Sequence, residues 1–277
     1  MEFVSPEGEQ RYAALVTAAA GAVVALDFDG TLAPIVDDPE QAHIHPDAGE
    51  VLAELAERVL AIAVVTGRPA RQVLDLGGLE AVGDRLAELG KELYVFGQYG
   101  NERWSSSHRV IRGPRPPHGL ATYLRDLPRL LRQADAADAW VEEKGLAVAV
   151  HTRRLPDPDA AYERLLAVLA PAAEALDLTV EPGRQVVEVR SGGMDKGIAV
   201  DKLVDDLGAK AILFAGDDLG DVEAFESVAA WGATGLATLL VCSASDEQSA
   251  LVPLSDVLVP GPDGVLDLLR RITADAS

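Results

Sequence analysis

Apolar residues fall along this chain in two rhythms. Short, nearly continuous apolar runs read as strands at Val23 to Asp27, Ala61 to Val65, Leu93 to Phe96, Ala211 to Ala215, Ala237 to Val241 and Val257 to Val259. Between them lie stretches of helical spacing, such as Val51, Leu52, Leu55 and Val59 within Asp47 to Val59. A strand that is apolar at every position is covered on both faces, and its alternation with helices predicts a parallel sheet between helix layers. The expected class is α/β, with a Rossmann-like parallel-sheet core. The 14-residue apolar stretch from Ala13 to Leu26 is too short to cross a bilayer and reads as a helix end running into the first strand.

The middle of the chain changes character. Gly113-Pro114-Arg115-Pro116-Pro117 and Ser191-Gly192-Gly193 are strong breaks. Between them, helices near His118 to Ala134 and Asp159 to Ala170 alternate with hairpin-like runs at Trp140 to Glu142, Leu146 to His151, Leu178 to Glu181 and Gln185 to Arg190. This predicts a small α+β domain over residues 113–190, inserted into a sheet domain built from residues 1–112 and 191–277. The length of 277 residues fits one large domain or two modest ones at about 150 residues each.

Charge narrows the partners. Twenty-four Lys and Arg against 45 Asp and Glu give a net charge of −21, which disfavours nucleic acid and anionic membrane surfaces. An anionic small molecule would need a locally basic pocket in an acidic shell. The lone Cys242 sits in the apolar run Leu239 to Cys242, so it reads as a buried strand residue in a reducing compartment. The expectation is a cytoplasmic protein, monomeric, with neither membrane nor nucleic-acid partners.

Polar residues gather where the predicted strands end, the side on which open parallel sheets bind ligands. Asp27-Phe28-Asp29-Gly30-Thr31-Leu32 follows the first strand. A sharp Gly-assisted turn separates the two carboxylates and lets the Asp29 carbonyl point inward, where a divalent cation relieves repulsion; few carboxylates plus phosphate oxygens suit Mg2+. Asp27 so held can attack phosphorus, and Asp29 can exchange a proton with the leaving oxygen and then with water. Thr66-Gly67-Arg68 offers a hydroxyl, a backbone N–H and a cation to phosphate oxygens. Lys196 opens a helix within Asp195-Lys196-Gly197; its charge opposes the helix dipole, so an anion is expected nearby. Gly216-Asp217-Asp218-Leu219-Gly220-Asp221 adds carboxylates that can complete a metal shell or hold Lys196, although Asp218 and Asp221 also suit a helix cap.

Asp27-x-Asp29-Gly30-Thr31, Thr66, Lys196 and Gly216-Asp217-Asp218, in this order, resemble the four motifs of haloacid-dehalogenase-like phosphohydrolases, and the insert resembles their type-2 cap. Over about residues 20–270 the resemblance sharpens to the trehalose-6-phosphate phosphatase family. It is carried by Asp27 to Ile35, Val141-Glu142-Glu143-Lys144 through His151, Pro182-Gly183-Arg184 through Arg190, and Asp195-Lys196-Gly197. The resemblance implies that Glu142, Lys144, Arg153 and Glu188 hold sugar hydroxyls. It also implies catalysis by Asp27, Asp29, Thr66 and Lys196, with Mg2+ on Asp27, Asp29 and Asp217 and support from Gly67, Asp218 and Asp221. Two positions depart from the family pattern: Tyr99 stands where a His is usual, and Gly220 precedes Asp221 where a Thr-Asp pair is usual. The substrate class implied is a sugar phosphate, either trehalose 6-phosphate or another sugar or pseudodisaccharide phosphate; a catalytically silent sensor of such a molecule is the alternative outside enzymes.

Overall fold

A computed structural model of the protein describes residues 1–36, 38–183, 185–192, 195–244 and 251–276. Arg184 and Gly193, used above in a motif and a break, lie outside the described residues. In chain order the described strands are β1 (Glu2–Phe3), β2 (Ala22–Leu26), β3 (Ala61–Val65), β4 (Leu93–Gly97), β5 (Glu102–Ser105), β6 (Trp140–Glu143), β7 (Ala147–His151), β8 (Leu178–Gly183), β9 (Val186–Ser191), β10 (Ala211–Gly216), β11 (Ala237–Ala244) and β12 (Val257–Pro260). The chain forms two compact units: Met1–Gly113 with Asp195–Ser277, and Pro114–Met194.

In the first unit the strands form one sheet in the order β1-β12-β11-β10-β2-β3-β4-β5. All pairings from β12 through β4 are parallel, and β1 and β5 close the two edges antiparallel. The continuous apolar runs follow from burial on both sides. Val24, Leu26, Ile62, Val64, Leu213 and Val241 face a layer containing helices Ala48–Ala56 and Gly261–Asp275. Their neighbours Val23, Ala25, Ala63, Val65, Ile212, Phe214 and Cys242 face helices Lys196–Leu207 and Val222–Ala233. Cys242 is thus a buried strand residue, as expected.

The order of the strands creates the site. From β2 the chain builds outward through β3 and β4 on one side, and later through β10, β11 and β12 on the other. The carboxyl ends of β2 and β10 therefore flank the point where the winding direction reverses, which leaves a crevice there.

The second unit has an antiparallel sheet in the order β6-β7-β9-β8. Helices His118–Gln133 and Pro158–Glu174 cover one face, packing Tyr123, Leu127, Leu130, Leu165 and Leu169 on Val148, Val150, Val187 and Val189. Period-two alternation sends Glu142, Ala149, Glu188 and Glu181, which are paired across the four strands, to the opposite face.

The α/β class, the parallel core and the separate antiparallel sheet match the expectation, with strand ends shifted by at most three residues. The edge strand β5, Glu-Arg-Trp-Ser, was not visible in the sequence because only Trp104 of its side chains is buried. Ile62 is fully buried in the central sheet. Ile62→Ala is expected to cost about 2–5 kcal/mol through lost transfer energy and a residual cavity. Chemical denaturation monitored by circular dichroism measures this; an unchanged midpoint would place Ile62 outside the core.

Candidate active site

The site begins at the end of β2, where Asp27 donates its backbone N–H to Ala215 O of β10 at 2.8 Å. The chain then turns sharply: the amides of Leu32 and Ala33 both return to Phe28 O, and Gly30 adopts a left-handed φ of +68°. A Cβ at Gly30 would collide with the Asp217 carboxylate, so the glycine both permits the turn and admits Asp217 beside it. The turn sends the two carboxylates to different places. Asp27 is 4% exposed, whereas Asp29 faces outward and pairs with Arg68.

Lys196 lies at the first position of helix Lys196–Leu207, capped by the Asp195 side chain accepting from Ile198 N at 2.8 Å. The anion expected beside it is twofold: its Nζ donates to Asp27 Oδ1 at 2.7 Å and to Asp221 Oδ1 at 2.6 Å. The other Asp221 oxygen accepts from the backbone N–H groups of Asp217 and Asp218 at 3.0 and 3.3 Å. Asp221 thus fixes Lys196 to the turn after β10. Asp218 caps the same turn by accepting from Gly220 N at 2.8 Å, so the capping reading of Asp218 and the ion-holding reading of Asp221 are both correct.

Carboxylate oxygens of Asp27, Asp217 and Asp221 all lie within 4.8 Å of one another. Burial pushes the Asp27 carboxyl well above its ordinary value despite the opposing pull of Lys196. Asp217 is pushed up to about 10 by burial, with repulsion from Asp27 and Asp218 adding to it. Burial works against the charge on Lys196, yet Asp221 and Asp27 outweigh it and hold the ammonium firmly protonated. Fully ionised, three carboxylates against one ammonium would leave two negative charges in a buried space. One divalent cation balances that deficit, and an all-oxygen donor set suits a hard cation. Both Asp221 oxygens are already committed, so Asp27 and Asp217 are the carboxylates with capacity to hold it.

Of the expected metal set, the Asp27 and Asp217 carboxylates lie together, and Asp29 is expected to contribute its backbone carbonyl, not its carboxylate. Asp29 contributes no carboxylate to the cluster; Arg68 donates to it through Nε at 2.6 Å and Nη2 at 2.7 Å, and through Nη1 to Pro39 O at 2.9 Å. Arg68 was expected on the phosphate, and the structure shows it on Asp29. Thr66 is buried at the end of β3, with its hydroxyl accepting from Arg68 N at 3.1 Å, and Gly67 follows it.

Two supporting side chains were not read from the sequence. Ser243, buried in β11, donates to Gly30 O at 2.6 Å and steadies the turn between Asp27 and Asp217. Glu102 accepts from Ala70 N at 2.7 Å, capping helix Ala70–Gly77, whose own preceding residue is Pro69. Neither pairing has a local sequence signature, because the partners lie 213 and 32 residues apart.

In the second unit Lys144 Nζ donates to Glu188 Oε2 at 2.6 Å, while Glu188 Oε1 is buried without a hydrogen-bond partner. Glu142 pairs with His151 at 3.1 Å, and the His151 ring stacks on Trp140 at 4.3 Å. Glu142, Lys144 and Glu188 thus gather on and beside the helix-free face of this sheet, as β6, β7 and β9 dictate. Arg153 is exposed in the turn after β7 and stands outside these pairs.

A buried lysine among carboxylates at the switch point of a parallel sheet is the layout of haloacid-dehalogenase-like proteins, and the solved structures agree in fold. The C-terminal domain of the Candida albicans trehalose-6-phosphate phosphatase superposes with a TM-score of 0.77 at 19% identity, covering 97% of this chain and 96% of that one. A haloacid dehalogenase-like hydrolase from Bacteroides thetaiotaomicron superposes at 0.60 and 15% identity, covering 91% and 99%. The chain belongs to the trehalose-phosphatase family, whose model matches residues 25–84 and 131–256. A probable trehalose-phosphate phosphatase of Sinorhizobium fredii is 31% identical, covering 80% of this chain and 79% of that protein. An uncharacterized glycosyl hydrolase of Mycobacterium tuberculosis is 35% identical over 216 residues; the match covers 74% of this chain but spans only 15% of that protein's length.

The raised carboxylates fix a pH dependence. Asp27 and Asp217 hold protons in the metal-free fold that the unfolded chain releases near its ordinary value of 3.8, so the unfolded state binds fewer protons and stability falls as pH rises. The loss should run from about pH 4 towards pH 10 without metal, and saturating divalent cation should flatten it. Thermal denaturation across this range, with chelator and with divalent cation, is the check. Identical pH slopes under both conditions would mean that these carboxylates do not share a cation.

Proposed function

We propose that the protein is a Mg2+-dependent phosphatase that hydrolyses trehalose 6-phosphate to trehalose and inorganic phosphate. The observation that carries this reading is the buried bridge from Lys196 to Asp27 and Asp221, beside Asp217, in a chain of the trehalose-phosphatase family. Asp27 attacks phosphorus in line, expelling the sugar oxygen and forming an aspartyl-phosphate. Asp27, Asp217 and the Asp29 carbonyl would hold Mg2+, which would supply charge neutralisation at the phosphoryl oxygens. Lys196 and the Thr66 hydroxyl donate to those oxygens, so the site works by positioning and electrostatics. Asp221 holds Lys196 in place, and Asp218 and Gly67 shape the two turns. Asp29, protonated from solvent once Arg68 releases it, gives that proton to the leaving oxygen and then takes one from the water that cleaves the intermediate. An arriving phosphate dianion competes with Asp29 for Arg68, which frees Asp29 for this task as Arg68 turns to the anion.

The paired charges of the inserted unit select the sugar. Glu142, Lys144 and Glu188 present acceptors and donors to hydroxyls, and the unpartnered Glu188 oxygen is a buried acceptor awaiting one. Arg153 is assigned to the sugar on family resemblance alone. A cytoplasmic, monomeric protein acting on a small molecule completes the proposal. Among the described residues, no helix is long and apolar enough to cross a membrane.

Asp27→Asn should lower turnover by roughly a thousandfold or more while the thermal midpoint is kept or raised, because a neutral amide cannot attack and one repelling charge is gone. Retained phosphate release by the purified variant would rule out Asp27 as nucleophile. Glu142→Ala and Lys144→Ala should cut kcat/KM for trehalose 6-phosphate by roughly ten- to a thousandfold, yet leave hydrolysis of a small aryl phosphate nearly unchanged. Equal losses on both substrates would make these residues structural, and little loss on either would return the sugar to another phosphate ester.

A further inference from the structure

Gln98 and Tyr99 are consecutive non-glycine residues in the left-handed region, with φ of 47° and 58°, followed by Gly100 at 91°. Side chains adopt this backbone reluctantly, and elsewhere among the described residues it occurs only singly outside glycine. Such strain persists only where surrounding bonds over-determine it, and it clusters at binding sites. Here the bonds are explicit. Gln98 N donates to Arg68 O at 2.8 Å, and Tyr99 N donates to Thr66 O at 3.0 Å. Gln98 Nε2 donates to Glu102, which also caps the helix that follows Arg68. The strained turn is thereby stitched to both ends of Thr66-Gly67-Arg68.

The consequence is the place of the Tyr99 ring. A Cβ on Gly67 would fall 2.9 Å from Tyr99 Cζ and 3.0 Å from its hydroxyl oxygen, so the phenolic end of the ring lies directly on Gly67. Gly67 is small because the ring occupies the space its side chain would take. The phenol O–H is therefore carried to the turn whose hydroxyl and backbone are assigned to the phosphoryl group, at the same end of the sheet as Asp27.

We infer that Tyr99 is a phosphate-binding residue of this site, its phenol donating a hydrogen bond to a phosphoryl oxygen held over Gly67. The inference rests on the phosphatase reading and deepens it. Because the contact is to phosphate and not to sugar, its loss must be felt by every phosphomonoester and by inorganic phosphate itself.

Tyr99→Phe keeps the ring and removes only the hydroxyl; Tyr99→Asn, which tolerates the left-handed backbone, removes both. The probe is inorganic phosphate, measured by titration calorimetry in Mg2+ buffer and as a competitive inhibitor, alongside kcat/KM for trehalose 6-phosphate and an aryl phosphate. Tyr99→Phe should weaken phosphate binding and lower kcat/KM on both substrates by a common factor of about 10- to 150-fold, as loss of a hydrogen bond to a charged group implies, with its thermal midpoint unchanged. Tyr99→Asn should match that loss in phosphate affinity. Wild-type phosphate affinity in folded Tyr99→Phe would overturn the inference, as would a loss confined to trehalose 6-phosphate. Failure of the underlying reading looks different: wild-type protein that binds phosphate but releases none from any ester.

Discussion

Three carboxylates and one ammonium packed behind the carboxyl ends of a parallel sheet form the constraint on which the rest of the first unit depends. Asp27, Asp217 and Asp221 repel one another, and removal from water raises the cost of each charge. Lys196 is the basic side chain that bridges two of them, and it does so from the first turn of a helix whose dipole disfavours it. Asp221 therefore holds the lysine, and Asp217 N and Asp218 N hold Asp221 in turn. Gly30 gives Asp217 room, and Ser243 pins the carbonyl of that glycine. Each of these features is intelligible as a way of concentrating negative charge where a cation and a phosphate dianion would be received, within a protein whose net charge is −21.

The two units divide the proposed work according to their sheets. A parallel sheet gathers loops from distant segments at one end, which suits a chemistry needing residues near positions 27, 66, 196 and 217 together. An antiparallel sheet with helices on one face leaves alternate side chains of every strand on the other, which suits recognition of several hydroxyls. The Lys144–Glu188 and Glu142–His151 pairs keep charges on that second face without leaving them bare.

Much of this was legible in the sequence for identifiable reasons. Strands buried on both faces announce themselves as unbroken apolar runs, so β2, β3, β10 and β11 were found within a few residues. Asp27, Lys196 and Asp217, which the structure brings together, stood out because each follows a strand or opens a helix in a way that packing alone does not explain. The pairing of Asp29 with Arg68 was not legible, because it depends on how two loops 39 residues apart meet. Asp221 suited both a cap and a hold on Lys196, and it does both, although its contact with Lys196 is a long-range event. Arg153 came from resemblance alone, and its exposed position shows why local chemistry gave no independent support.

The central claim is that this charge cluster makes the Asp27 carboxylate a nucleophile towards phosphorus, so that hydrolysis proceeds by two in-line displacements. The stereochemical course at phosphorus tests this most directly, using an isotopically chiral phosphorothioate of the sugar substrate hydrolysed in heavy-oxygen water. Two displacements give retention of configuration, which is the expected result. Inversion would mean that water attacks in a single step, and would contradict the role assigned to Asp27.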